Sequence, residues 1–125
     1  MKHFYRKESL FFIWLLYFLF ILGCAAQNEF KKGEKFARMN EWDLAVAHFQ
    51  RACNQDQKNF EYKSSLKRAK VEAANYHFGK GKNFLKAKKY DDAILEFQLA
   101  VIYDPSHKNA KQLIKFTKDL KEADY

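Results

Sequence analysis

The chain has 125 residues, room for one domain plus an appendage, and is basic, with 23 Lys and Arg against 15 Asp and Glu. One proline and four glycines, with Ala, Leu, Lys, Glu and Phe dominating beyond residue 30, argue against a strand-and-turn protein and for helices. Two cysteines, Cys24 and Cys53, exclude a disulfide framework, and no Gly/Ser-rich or Pro-rich stretch marks a linker to a second domain.

The first element is an apolar segment. Residues 1–9 carry Lys2, Arg6 and Lys7 against Glu8, and then LFFIWLLYFLFIL runs for thirteen residues, 10–22, before Gly23, Cys24, Ala25 and Ala26. A basic start, an apolar run of about 7 to 15 residues and small residues after it form the layout of a secretory signal. Thirteen helical residues rise about 20 Å, short of a hydrocarbon core of about 30 Å, whereas extension to Ala26 gives a marginal span. Two readings stand at this point, a cleaved signal and a retained anchor helix. Ile21-Leu22-Gly23-Cys24 resembles the lipobox of bacterial lipoproteins, with an aliphatic residue three before the cysteine and a small residue just before it. That resemblance implies a signal peptide over 1–23, a diacylglycerol on the Cys24 thiol and an acylated amino group after cleavage. Several acyl chains hold a protein firmly, because each buried CH₂ contributes about 0.8 kcal/mol. Ala rather than Asp at position 25 implies, by the sorting pattern of that family, an outer-membrane lipoprotein facing the periplasm. An uncleaved helix in the inner membrane and a cleaved signal without lipid are the alternatives.

Next comes an internal repeat. Displaced by 48 residues, FKKGEKFARMNEWDLAVAHFQRACNQD (30–56) lies over FGKGKNFLKAKKYDDAILEFQLAVIYD (78–104) with ten of 27 positions identical. These are Phe30/Phe78, Lys32/Lys80, Gly33/Gly81, Phe36/Phe84, Asp43/Asp91, Ala45/Ala93, Phe49/Phe97, Gln50/Gln98, Ala52/Ala100 and Asp56/Asp104. Each copy predicts a helical hairpin. Leu44, Ala45, His48, Phe49, Ala52 and Cys53 recur at three- and four-residue steps in the first, and Ala93, Ile94, Phe97, Ala100 and Val101 do so in the second. Asp43 and Asp91 stand near the starts of these helices, where a carboxylate is expected to cap free N–H groups and oppose the helix dipole. Pro105 stops the helix before it. Gly33 and Gly81 fall inside first helices, where glycine costs about 1 kcal/mol against alanine, so a neighbouring helix is expected to pass close by. Between the copies Tyr62, Leu66, Ala69, Ala73 and Tyr76 share one face, predicting a long helix over about 60–87 with a bend near Gly79 and Gly81. After Pro105, Ala110, Leu113, Ile114, Thr117 and Leu120 predict an amphipathic capping helix over about 108–122.

These positions resemble the tetratricopeptide repeat, a helix–turn–helix unit of about 34 residues. The first copy supplies Gly33, Phe36, Ala45, Phe49 and Ala52, with Gln57 in place of the closing proline. The second supplies Gly81, Phe84, Ala93, Phe97, Ala100 and Pro105, a complete set. Glu29 and His77 stand where the family often has Trp. The resemblance implies an all-α domain over 24–125, with tetratricopeptide-like hairpins at about 26–59 and 74–107. The 48-residue spacing exceeds the family's unit by 14 residues, about 60–73, which the long helix absorbs. It further implies a groove, lined by the first helices, that holds a peptide or helix of a protein partner. Carried over by position, the groove residues are Phe30, Glu34, Ala37 and Arg38 in copy one and Asn75, Phe78, Lys82, Leu85 and Lys86 in copy two. Phe30 and Phe78 fit a packing role equally well, and Phe30 and Glu34 replace the first two residues of the family's chaperone-tail clamp, so that clamp is not implied.

The order of segments is also similar to the N-terminal region that precedes some bacterial secretins, the outer-membrane ring proteins of type II secretion and type IV pilus systems. It comprises a lipobox signal, a repeat, the NFEYKSSLKRAKVEA helix, a repeat ending YDPSHKNA and a short helix. This similarity implies a role beside secretion or pilus components without pore formation, since the ring-building and β-barrel regions do not occur in these residues.

No catalytic constellation accompanies the repeats. His48, His77 and His107 share no metal-ligand spacing, and neither CxxC nor HExxH occurs, so no metal, cofactor or enzyme activity is expected. His48 and Cys53, on the apolar side of their helix, are expected to pack. Gly79-Lys80-Gly81-Lys82 lacks the spacing and preceding strand of a phosphate loop. Removing the signal's +2 from the total of +8 leaves +6. The lysines of 58–89 and 108–121 alternate with apolar residues, as on solvated helix faces, and the expectation is no nucleic-acid partner. A basic face binding cell-envelope polymer is the alternative function.

Overall fold

The computed structural model describes residues 4–125; Met1, Lys2 and His3, the first residues of the expected signal, lie outside the described residues. The described residues are all-α, as expected. Five helices follow in order: α1 (Phe4–Arg38), α2 (Trp42–Gln55), α3 (Phe60–Lys86), α4 (Tyr90–Tyr103) and α5 (Lys108–Ala123). Each packs on the next, α1 on α2, α2 on α3, α3 on α4 and α4 on α5.

The two hairpin turns are built alike, 48 residues apart. After α1 the amide of Glu41 donates to the carbonyl of Phe36 at 3.0 Å and that of Asn40 to Ala37 at 3.1 Å. After α3 the amide of Lys89 donates to Phe84 at 3.0 Å and that of Lys88 to Leu85 at 3.0 Å. This pair of bonds satisfies the last free carbonyls of a helix and requires a left-handed residue. Asn40 (φ 59°) and Lys88 (φ 57°) provide it. The expected caps at Asp43 and Asp91 are not found. The N-cap positions of α2 and α4 are Glu41 and Lys89, without side-chain caps. Asp43 and Asp91 sit inside the first turns, where their charge still opposes the helix dipole, and their oxygens turn to other helices. Side-chain caps occur instead at Asn59, which accepts from the amide of Tyr62, and at His107, which accepts from that of Ala110.

That second pair explains the long repeat. Asn59 and His107 are again 48 residues apart, and beyond them Lys63 matches Lys111, Leu66 matches Ile114 and buried Ala69 matches buried Thr117. Residues 60–73 are therefore the counterpart of α5. Each hairpin carries a capping helix, and the cap of the first hairpin is fused to the first helix of the second. Burial divides α3 at the same place. Tyr62, Ala69 and Ala73 join Ala26, Phe30, Ala45, Phe49 and Ala52 in one core, whereas Ala74 joins Ala100 and Ala110 in another, with Phe78 and Val101 against it. Tyr103 touches both. The unit is thus 26–73, then 74–121, and α3 runs unbroken through the junction and through Gly79 and Gly81.

Inside each hairpin a phenylalanine ring packs against a glycine. A Cβ on Gly33 would stand 2.6 Å from Cδ1 of Phe49, and one on Gly81 would stand 2.5 Å from Cε1 of Phe97. The close approach predicted for these glycines is made by the ring of the opposing helix. Phe97 is completely buried, and full burial of such a side chain contributes about 3 kcal/mol.

Only the second half of α1 takes part in this packing. Ala26 is its first buried residue, while the apolar side chains of residues 10–21 are exposed, from 45% at Leu15 to 75% at Trp14. The stretch 9–28 has 20 residues without a charge, about 30 Å as a helix. Among the described residues one helix, over Lys7–Arg38, is long and apolar enough to cross a membrane by length and composition.

Candidate docking grooves and the buried junction

Two clefts open along the first helices. The first, of about 350 Å³, lies between α1 and α3 and is lined by Glu34, Ala37, Arg38, Trp42, Arg68 and Glu72, with Phe49, Ser65 and Ala69 at its base. The second, of about 550 Å³, lies between the end of α3 and α5; Leu85, Tyr90, Leu113 and Leu120 form its floor, and Lys82, Lys86, Lys88 and Asp124 its rim. The expected groove residues thus divide. Glu34, Ala37 and Arg38 line the first cleft, and Lys82, Leu85 and Lys86 line the second. Asn75 is exposed but lines neither. Phe30 lines neither cleft; it is 8% exposed and packs on Phe49 at 5.4 Å and on Tyr62 at 4.7 Å. Phe78 is half-buried against Phe97 at 5.8 Å and His107 at 4.7 Å, with Lys82 Nζ 5.0 Å from its ring centre. The two clefts differ in charge. Two carboxylates balance two guanidiniums in the first, whereas three lysines face one aspartate in the second, and that aspartate accepts a hydrogen bond from Tyr90.

Between the hairpins lies a polar junction that self-alignment does not reveal. His77 is 4% exposed, and its Nδ1 lies 2.6 Å from Glu96 Oε2 while its Nε2 lies 3.0 Å from Asp43 Oδ1. Both ring nitrogens face carboxylates. Lys80 Nζ reaches the other Glu96 oxygen at 2.8 Å. Burial pushes the Glu96 carboxyl up, but hydrogen bonds from Lys80 and His77 outweigh it and hold the group below its ordinary range. Burial likewise raises Asp43, and bonds from Tyr103 and His77 turn the balance downward. The Tyr103 hydroxyl, desolvated and bonded to Asp43, is pushed up to about 12. These groups join α2 of the first hairpin to α3 and α4 of the second. The corresponding pair in the first hairpin is His48 and Glu29, 2.7 Å apart, with Arg51 and Lys32 near the carboxylate. His48 also stacks on Phe36 at 5.1 Å, so the residue expected only to pack carries a hydrogen bond to a carboxylate as well.

Cys24 is exposed, two residues before Ala26, and beside it a Cβ on Gly23 would meet nothing within 4 Å. Cys53 is buried, and desolvation raises its thiol above the ordinary range, which suppresses the reactive thiolate. Among the described residues no group of three or more His, Cys, Asp or Glu is placed to hold a metal ion. Comparison with protein-family models and with curated proteins finds no match to this chain.

Proposed function

We propose that this chain is a lipid-anchored tetratricopeptide-type scaffold of the bacterial envelope, non-catalytic, which holds a protein partner in the clefts along its first helices and serves the assembly of a secretin-type secretion or pilus machine. The observation that carries the reading is the sequence of environments along α1. An exposed apolar segment ends at exposed Cys24, and the packed repeat begins two residues later at Ala26. Lipid on Cys24 holds the first hairpin against a membrane, with Glu34 and Arg38 only three turns or so further along the helix. The second cleft, apolar at its floor and lysine-rimmed, suits an amphipathic segment with acidic flanks. Outer-membrane residence facing the periplasm and neighbouring secretion components follow from the lipobox and secretin resemblances.

Mass spectrometry of the chain purified from its own membranes tests the anchor. A triacylated Cys24 at the mature N-terminus is expected, and an intact Met1 overturns it. Site-specific photo-crosslinking from Arg38 and Lys86 tests the scaffold. The expected adducts contain a secretion or pilus component, and adducts confined to lipid overturn that part.

A second reading rests on the unbroken course of α1 from Phe4 to Arg38. An uncleaved helix of this length tethers the same repeat domain to the inner membrane, and the intact Met1 that overturns the first reading supports this one.

A further inference from the structure

The 48-residue correspondence of the two caps extends to their charges. Lys63, Lys67 and Lys70 on α3 stand at positions i, i+4 and i+7, and 48 residues later Lys111, Lys115 and Lys118 repeat the set on α5. Steps of four and three residues place each trio on one narrow stripe, with rises of about 6 and 4.5 Å. Among the described residues no carboxylate lies within 4.0 Å of any of the six, whereas Lys32, Lys80 and Lys121 elsewhere are paired. Neither the hairpin signature nor the junction requires these lysines.

The first trio lines a third cleft, of about 680 Å³, between α2 and the first half of α3, on the side away from the docking grooves. Gln50, Asn54 and Gln57 give its wall neutral hydrogen-bonding groups, and Asp104, at the end of α4, is its one acid. Two backbone hydrogen bonds tie Lys111 to that same Asp104, from the Lys111 amide to the His107 carbonyl at 3.3 Å and from the His107 amide to the Asp104 carbonyl at 3.0 Å. The second stripe therefore begins where the first cleft ends.

We propose that this edge of the protein binds a linear phosphate-bearing polyanion, with the α2–α3 cleft as its first subsite and the α5 stripe as its second. Charge complementarity selects an anion, and the regular spacing of two stripes selects a chain over a single small ion. Lysine offers compact point charges of the kind that bind phosphate oxygens. The cleft's one aromatic, Tyr103, is stacked on His77 at 5.6 Å, so nothing there is left to stack a base. This site goes beyond the scaffold reading and does not depend on lipidation or on a partner in the grooves.

Calorimetric titration of the full chain in a neutral detergent, with inorganic tripolyphosphate and with long-chain polyphosphate, tests the proposal. K63E/K67E is expected to weaken both ligands about tenfold, and K111E/K115E to weaken the long chain alone. The charge-matched K31E/K35E, on α1, is expected to change either by about twofold or less. Equal losses in K63E/K67E and K31E/K35E overturn the site in favour of general charge attraction. Poly-glutamate of equal charge binding as tightly as polyphosphate overturns the phosphate assignment and points to an acidic protein surface.

Discussion

His77 and Glu96 meet at 2.6 Å across the second hairpin, and 48 residues earlier the same two positions hold Glu29 and His48 at 2.7 Å. The hydrogen-bonded pair is retained and its ends are exchanged. The exchange has a neighbour-dependent cause. Position 77 faces Asp43 of the preceding hairpin at 3.0 Å, so an imidazole there bridges two carboxylates. Position 29 has Lys32 and Arg51 beside it as well as His48, so the carboxylate belongs at that end.

The exchange predicts unequal tolerance to reversal. E29H/H48E keeps a matched pair and is expected to unfold in urea within about 1 kcal/mol of the natural chain. H77E/E96H sets a carboxylate against Asp43 and an imidazole against Lys80, and is expected to lose about 2 kcal/mol or more. H77A leaves Glu96 and Asp43 without their bridge and is expected to cost about 3 kcal/mol.

Acid should loosen the junction. Glu96 and Asp43 titrate below their ordinary values of 4.5 and 3.8 in the folded chain. Groups with depressed folded values contribute stability that is present above the unfolded value and is lost as pH falls through the folded one. The urea midpoint is therefore expected to be flat from pH 7 to about 5 and to fall below about 4. Glu96→Gln is expected to reduce that slope, measured as midpoint against pH.

Gly33→Ala and Gly81→Ala each drive a methyl into a phenylalanine ring, at 2.6 and 2.5 Å respectively. Better helix propensity offsets about 1 kcal/mol of a strain of about 1 to 3 kcal/mol, so a net loss of about 1 kcal/mol is expected. The companion replacement Phe97→Leu should recover part of the loss for Gly81→Ala in the same urea assay, because the smaller side chain leaves room for the methyl.

Lys88 adopts φ 57°, a conformation that costs a side-chain-bearing residue about 1 to 2 kcal/mol. Lys88→Gly is expected to raise the unfolding free energy measured in urea by about 1 kcal/mol. Asn40→Gly, at the equivalent turn, is expected to gain less because asparagine tolerates this region.

Deleting residues 108–125 removes the cap of the second hairpin and uncovers Ala74, Phe78 and Ala100. The first hairpin keeps its cap in the first half of α3. Amide exchange is expected to quicken throughout α4 while protection in α2 persists.

The hairpins were legible because Gly33, Phe49 and Ala52 have identical counterparts at Gly81, Phe97 and Ala100, and identity is what self-alignment reads. The Glu29–His48 and His77–Glu96 pairs escaped for the converse reason: an exchanged pair registers as two mismatches. The match of Lys63, Lys67 and Lys70 to Lys111, Lys115 and Lys118 lay beyond the aligned blocks, and extending the displacement past Asp56 and Asp104 exposes it. Phe30 was open between groove and core because its position faces the next first helix, and the ring of Tyr62, which fills that space at 4.7 Å, comes from a distant segment. Asp43 and Asp91 suggested caps by composition. Their side chains find stronger partners in His77 and Lys121, the latter at 2.5 Å, on helices far along the chain.

The sharing of α3 between two cores has a mechanical consequence. Tandem domains joined by a loop pivot independently, but here the joint is the middle of a 27-residue helix buried on both sides. The pair of hairpins therefore behaves as a stiff bracket. A load applied at α5 reaches the packed end of α1 as torque rather than dissipating in a hinge.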